Sequence, residues 1–161
     1  MAPEFLWKSL MKNGSIVLFW SQSRLEKNVE RIKEEKFDVY LFDCASWDSE
    51  KCLLEVGETL NFPDYYGKNL DALHDCLSDI VPQNEGFVLV FKNFDSFYKI
   101  DKETAYHLLD IIQINAWRLL LEEQKKLMAF VQSNDPDLHI KDVGAFSVDW
   151  NSEEWLKSSR R

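Results

Sequence analysis

Glycine and proline are scarce, five and four among 161 residues, too few for a collagen-like repeat or a low-complexity disordered chain. Cysteine is scarcer still and odd in number. Cys44, Cys52 and Cys76 lack metal-ligand spacing and make no complete set of pairs, so they read as reduced thiols rather than a disulfide framework. Basic charge is also short. Nineteen Lys and Arg face 28 Asp and Glu, a net charge of −9, which argues against binding nucleic acid or an anionic membrane directly. The balance favours a basic partner. Uninterrupted apolar runs such as Ile16–Trp20 and Phe87–Phe91 stop at five residues, far below the roughly 20 that span a bilayer. The start, with Pro3 and Glu4, lacks the basic-then-apolar layout of a signal segment, so a cytoplasmic location is expected. Phosphate-cradling glycine loops and HExxH motifs are missing as well. No cofactor is expected.

What is present is core-forming material: 45% of residues are hydrophobic and 14% aromatic, enough for one domain over residues 1–161. Charge is uneven. Residues 1–36 sum to +2, residues 37–60 to −5, residues 61–80 to −3, residues 135–154 to −5 and the last seven to +3. Apolar or β-branched runs at Ser15–Trp20, Val39–Phe42, Phe87–Phe91 and Leu127–Val131 read as strands. Helical spacing is expected over Arg24–Lys36, over Trp47–Leu60 with Leu53, Leu54 and Val56 inward, over Leu70–Ile80 and over Lys102–Glu123. Strands separated by helices need crossover connections, hence an α/β fold with a parallel sheet covered by helices. In the tail, Phe146–Trp150 is a candidate strand and Ser152–Lys157 a candidate short helix.

The stretch Asn61–Ile80, NFPDYYGKNLDALHDCLSDI, carries the most information. Asn69 suits an N-cap, and Gly67 suits the turn before it. Leu70, Leu73, Leu77 and Ile80 then form one apolar stripe, whereas Asp71, Asp75 and Asp79 form one acidic stripe at i, i+4 and i+8. Each like-charge pair at that spacing costs an isolated helix about 0.2–0.5 kcal/mol. The dipole compensates Asp71 in the first turn but not Asp75 or Asp79. A solvated acidic face explains the stripe without function; a cationic partner that neutralises it explains why the repulsion is kept. Tyr65 and Tyr66 add amphipathic surface of the kind enriched at interface hot spots.

Tyr65–Leu77, YYGKNLDALHDCL, closely resembles the signature of the barstar family, intracellular inhibitors of the secreted ribonuclease barnase. The resemblance spans roughly residues 37–133, leaving about 15–36 and about 134–161 as N- and C-terminal extensions. It implies a small parallel sheet of three strands, with Ser15–Trp20 as a candidate extra N-terminal strand. It also implies a non-enzymatic, one-to-one inhibitor whose helix and preceding loop plug the active site of a basic ribonuclease toxin. Matched residue by residue, Tyr65, Asn69, Asp71 and Asp75 carry the family's contact types, with Asp75 as the central carboxylate. A carboxylate facing a guanidinium makes short charge-assisted hydrogen bonds and stands in for RNA phosphate. The chain departs from the pattern in two places. His74 stands where the family has a contact tryptophan, gaining a titratable ring, and Leu119 stands where it has a principal contact acid. Glu123 falls on the next acidic contact, beside Glu122. These departures point to a toxin related to barnase rather than barnase itself.

Two other classes fit parts of the pattern. Asp71, His74 and Asp75 could serve a small α/β hydrolase, and the acidic face could serve a regulatory module with a non-nuclease basic partner. Asp71 and His74 at i, i+3 are compatible with metal ligation, but a third ligand is missing and no metal site is expected. Cys76 and His74, two apart on a helix, do not face each other as nucleophile and base. Trp150 and Trp155 either anchor the acidic tail or form a second partner contact.

Overall fold

The computed structural model describes residues 4–161; Pro3, used above in reading the chain start, lies outside them. The order of elements is α1 (Leu6–Leu10), β1 (Ile16–Phe19), α2 (Gln22–Glu34), β2 (Phe37–Asp43), α3 (Ser49–Thr59) and α4 (Leu70–Ser78). Then follow β3 (Gly86–Lys92), α5 (Phe94–Ile100), α6 (Lys102–Glu123), β4 (Lys126–Gln132), β5 (Asp149–Trp150) and two 3-10 turns at Ser152–Glu154 and Lys157–Ser159.

The sheet runs β2-β3-β4-β1-β5, and every pairing is parallel. It therefore has five strands rather than the expected three or four. The N-terminal run adds β1 beside β4, and two residues of the tail add β5 beside β1. The pairing ends at Trp150: the Asn151 amide and side chain both donate to the Leu18 carbonyl at 3.0 Å, and the chain then enters the Ser152–Glu154 turn.

Alternation along the strands builds two apolar layers. Phe87, Leu89 and Phe91 of β3 and Leu127, Ala129 and Val131 of β4 face the larger one, which α3, α4, α5 and α6 cover. Val88, Val90, Met128 and Phe130 face the smaller one with Leu25, Val29 and Ile32 of α2. Burial on both faces explains why these strands read as continuous apolar runs. Gly86 opens β3 because any Cβ there would collide with the Lys126 carbonyl of β4.

Several boundaries moved. Ser21 caps α2, its Oγ accepting from the Arg24 amide at 3.3 Å, so that helix starts two residues before Arg24. Asp48 caps α3, accepting from Lys51 N at 2.8 Å. Leu54 on α3 is exposed, not inward, because the buried side of that helix is Cys52, Leu53 and Val56. Helix α5 was not read from the sequence. It is a single short element started by Asn93 in the left-handed region, with Phe94 and Phe97 buried one turn apart. Among the described residues no helix is long and apolar enough to cross a membrane.

Candidate functional site

Helix α3 ends where Asn61 takes a left-handed φ of 56°, and the Phe62 amide turns back to the Gly57 carbonyl at 2.8 Å. The next turn closes with Tyr66 N donating to the Pro63 carbonyl at 2.9 Å. Tyr66 then lies back on α3. Its hydroxyl donates to the Leu53 carbonyl at 2.9 Å, and its ring meets Phe62 edge-on at 5.0 Å. Gly57 makes this possible, since a Cβ there would sit 2.6 Å from the Tyr66 ring. Burial, and secondarily the nearby Cys52 and Cys76 thiols, push the Tyr66 hydroxyl above its ordinary pKa, so it stays a neutral donor. Tyr65 has no such anchor and stands 76% exposed. One tyrosine holds the loop and the other is presented by it.

Asn69 caps α4 as expected, its Oδ1 accepting from Ala72 N at 2.8 Å. Leu73, Cys76 and Leu77 are the buried side of α4; Leu70 and Ile80 are half-buried at the edge of the stripe rather than within it. Asp71, Asp75 and Asp79 are all exposed. Among the described residues, none of their carboxylates accepts a hydrogen bond or meets a cation within 4.0 Å. Asp79 is moreover the C-cap of α4, where the helix dipole opposes a negative charge.

The same pattern recurs on α6. Glu122 and Glu123 end that helix, exposed, and no basic residue occupies its last turn. A hollow lined by Ser78, Ile80, Arg118, Leu119, Glu122 and Glu123 places the ends of α4 and α6 side by side. Two negative helix termini, each loaded with acid, thus border one hollow. Leu119, at the expected contact-acid position, is 8% exposed and belongs to the core packed beneath.

His74 is half-buried between the two helices. Its Nδ1 lies 3.1 Å from Nδ2 of Asn115 on α6, a partner the sequence reading missed. The signal available was weak: a polar residue at position 115 between apolar Ile112 and Ala116 on the packed side of α6. No hydrogen bond joins His74 to Asp71 or Asp75 among the described residues, so the hydrolase grouping of these three lacks an oriented acid–base pair. Trp150 is half-buried against the core with the Arg160 guanidinium 4.3 Å from its ring centre, and so anchors the tail; Trp155 is exposed.

A helix with an asparagine cap, a tyrosine-bearing loop and an unpaired aspartate row packs here on a parallel three-strand core. Comparison with known proteins matches residues 35–132 to the family model described as Barstar (barnase inhibitor). The chain belongs to the barstar family. A search of curated proteins adds a relative in Bacillus subtilis (strain 168) named "Putative ribonuclease inhibitor YrdF", 42% identical over 59 residues. That alignment covers 37% of this chain and 63% of the relative. Strands β2, β3 and β4, with α3 to α6, fall within the barstar-like portion, whereas α1, β1, α2 and everything after β4 lie outside it.

Proposed function

We propose that this protein is a stoichiometric, non-enzymatic inhibitor of a basic ribonuclease, a cytoplasmic immunity protein or antitoxin of a bacterial toxin related to barnase. One observation carries the reading. Among the described residues Asp71, Asp75 and Asp79 meet no partner, although their repulsion and the dipole at Asp79 cost the fold energy. Family membership and the name of the Bacillus relative supply the class of partner.

In this reading α4 and its preceding loop enter the phosphate-binding cleft of the ribonuclease as one plug. Asp71 and Asp75 take the cations that otherwise hold RNA, Asn69 adds a side-chain amide, and Tyr65 covers the edge with its exposed ring. His74 lies between the two aspartates, and Tyr66 supports the loop from behind. Glu123 contributes from α6 across the shared hollow. Long-range attraction follows from the net charge of −9 facing a basic cleft. The complex is one-to-one, since a cleft filled by one helix admits no second.

The test is a titration of barnase and of a barnase-related toxin with the purified protein, reading RNA cleavage. Activity should fall linearly and vanish at one equivalent for at least one of the two enzymes, and the protein alone should cleave nothing. Undiminished cleavage by both at a large excess of the protein would refute the reading.

A further inference from the structure

Asn115 is 2% exposed, and its two ends meet groups of fixed hydrogen-bonding character. The Arg118 guanidinium, which can only donate, points at Asn115 Oδ1 at 2.5 Å. That sets the oxygen toward Arg118 and the amide nitrogen the other way. Nδ2 donates to the Ile111 carbonyl, which can only accept, at 2.9 Å, and faces His74 Nδ1 at 3.1 Å. A primary amide nitrogen accepts nothing, so Nδ1 of His74 must be the acceptor. It carries no proton; the ring is neutral and its proton is on Nε2. Among the described residues Nε2 has no partner within the chain, and it is not closed off from solvent, since the one buried side-chain nitrogen or oxygen without a partner is Arg160 Nε.

We propose that Asn115 and Arg118 are positioning residues that present His74 to the partner as a neutral Nε2–H donor set between the carboxylates of Asp71 and Asp75. The charged groups beside it are those two acids on α4, one before and one after it in the chain, and Arg118 on α6, which meets the same Asn115. The face of α4 is then not uniformly negative. It reads acceptor, donor, acceptor along the helix, and fits a basic cleft that carries an acceptor oxygen between its cations. A cleft presenting a third cation there would set donor against donor. The use of the donor rests on the ribonuclease reading; the tautomer does not.

The experiment is long-range proton–nitrogen correlation NMR on the full chain labelled with nitrogen-15, first free and then with one equivalent of the ribonuclease inhibited in the titration above. In the free chain His74 should show an unprotonated Nδ1 and a protonated Nε2. Asn115→Asp, which puts an acceptor where the donor was, should move the proton to Nδ1. Arg118→Leu, which frees the amide to turn, should populate both tautomers. A protonated Nδ1 in the parent, or spectra unchanged in both variants, overturns the assignment whatever the partner is. In the complex, His74→Gln, which keeps an N–H near Nε2, should bind within a few-fold of the parent. His74→Leu should lose about tenfold, the worth of one hydrogen bond. Equal affinity of both variants with the parent overturns the donor's role. If neither ribonuclease is inhibited, the inhibitor reading falls and takes that role with it, while the free-chain spectra still decide the tautomer.

Discussion

Two carboxylates in this molecule have opposite surroundings. Glu154, in the first 3-10 turn after β5, is fully buried. Its oxygens accept from Trp20 N at 2.8 Å, Ser21 N at 2.9 Å and Asn151 Nδ2 at 2.9 Å, and Arg24 comes within 3.8 Å. The acid thus sits at the N-terminus of α2, where the dipole favours it. Asp75 is exposed in the middle of an acidic row, and among the described residues its carboxylate is bonded to nothing. The first carboxylate belongs to the fold and closes the C-terminal segment onto β1 and α2. The second is left over by the fold, and a group left over at a cost is where a partner is to be sought.

The sharpest way to break this contrast is at Glu154. Glu154→Ala strips partners from two backbone amides, leaves Arg24 with Glu153 alone, and should cost about 3–5 kcal/mol of stability. Denaturant unfolding measures it, and ribonuclease affinity below the transition should not move. A variant as stable as the parent would show that the tail is held by its apolar contacts alone.

Asp75→Ala should do the reverse. It removes two repulsive pairs and installs a better helix former, so stability should hold or rise by about 0.4–1 kcal/mol. Ribonuclease affinity should fall by about 2–5 kcal/mol, since a buried guanidinium loses its partner. Lower stability with intact binding would invert the two roles. Salt separates the pair in kinetics: association with the ribonuclease should slow steeply between low and physiological salt, and dissociation much less.

Tyr66→Phe sharpens the contrast within one loop. Losing the bond to the Leu53 carbonyl should cost about 0.5–1.5 kcal/mol of stability. Tyr65→Phe, with no bond to lose among the described residues, should leave unfolding unchanged.

The smallest effect is in acid. The Asn93 side chain first, and then the Ala45 amide, hold the Asp43 carboxyl below its ordinary pKa; Lys126 does the same for Glu85. A carboxyl depressed in the folded state stabilises above the unfolded value of about 4 and loses that contribution as pH falls through the folded value. Asp43→Asn and Glu85→Gln should therefore flatten stability against pH below about pH 4, in unfolding curves taken at several pH values.

Much of the site was legible because its signals are local. Asn69 as cap and the period-four aspartates each act within one or two helical turns of their own position; the turn before the helix closes over Pro63–Tyr66, and the left-handed residue there is Lys68 rather than Gly67. Strands β1, β3 and β4 were legible because burial on both faces demands apolar runs. Illegible features depend on distant chain. Leu54 and Leu120 have the spacing of inward residues, but where the core lies decides which edge of a helix is covered, and both fall outside it. Helices α1 and α5 are too short for a period to declare itself. Helix α1 is held by Glu35, whose carboxylate accepts from Leu6 N at 2.7 Å and Trp7 N at 3.0 Å from 29 and 28 residues away.

By itself the sequence determined the α/β class and the acidic face of α4, since periodicity, capping and like-charge spacing are written in neighbouring residues, and the resemblance of Tyr65–Leu77 to the barstar signature pointed to the core. Only the tertiary structure decided that Tyr66 is a prop while Tyr65 is exposed, that Leu119 is core, that β5 and Glu154 close the C-terminal segment onto the sheet, and that Asn115 meets His74. Each of these is a contact between residues far apart in the chain. Direction and burial there come from how helices and strands pack, which no local pattern encodes.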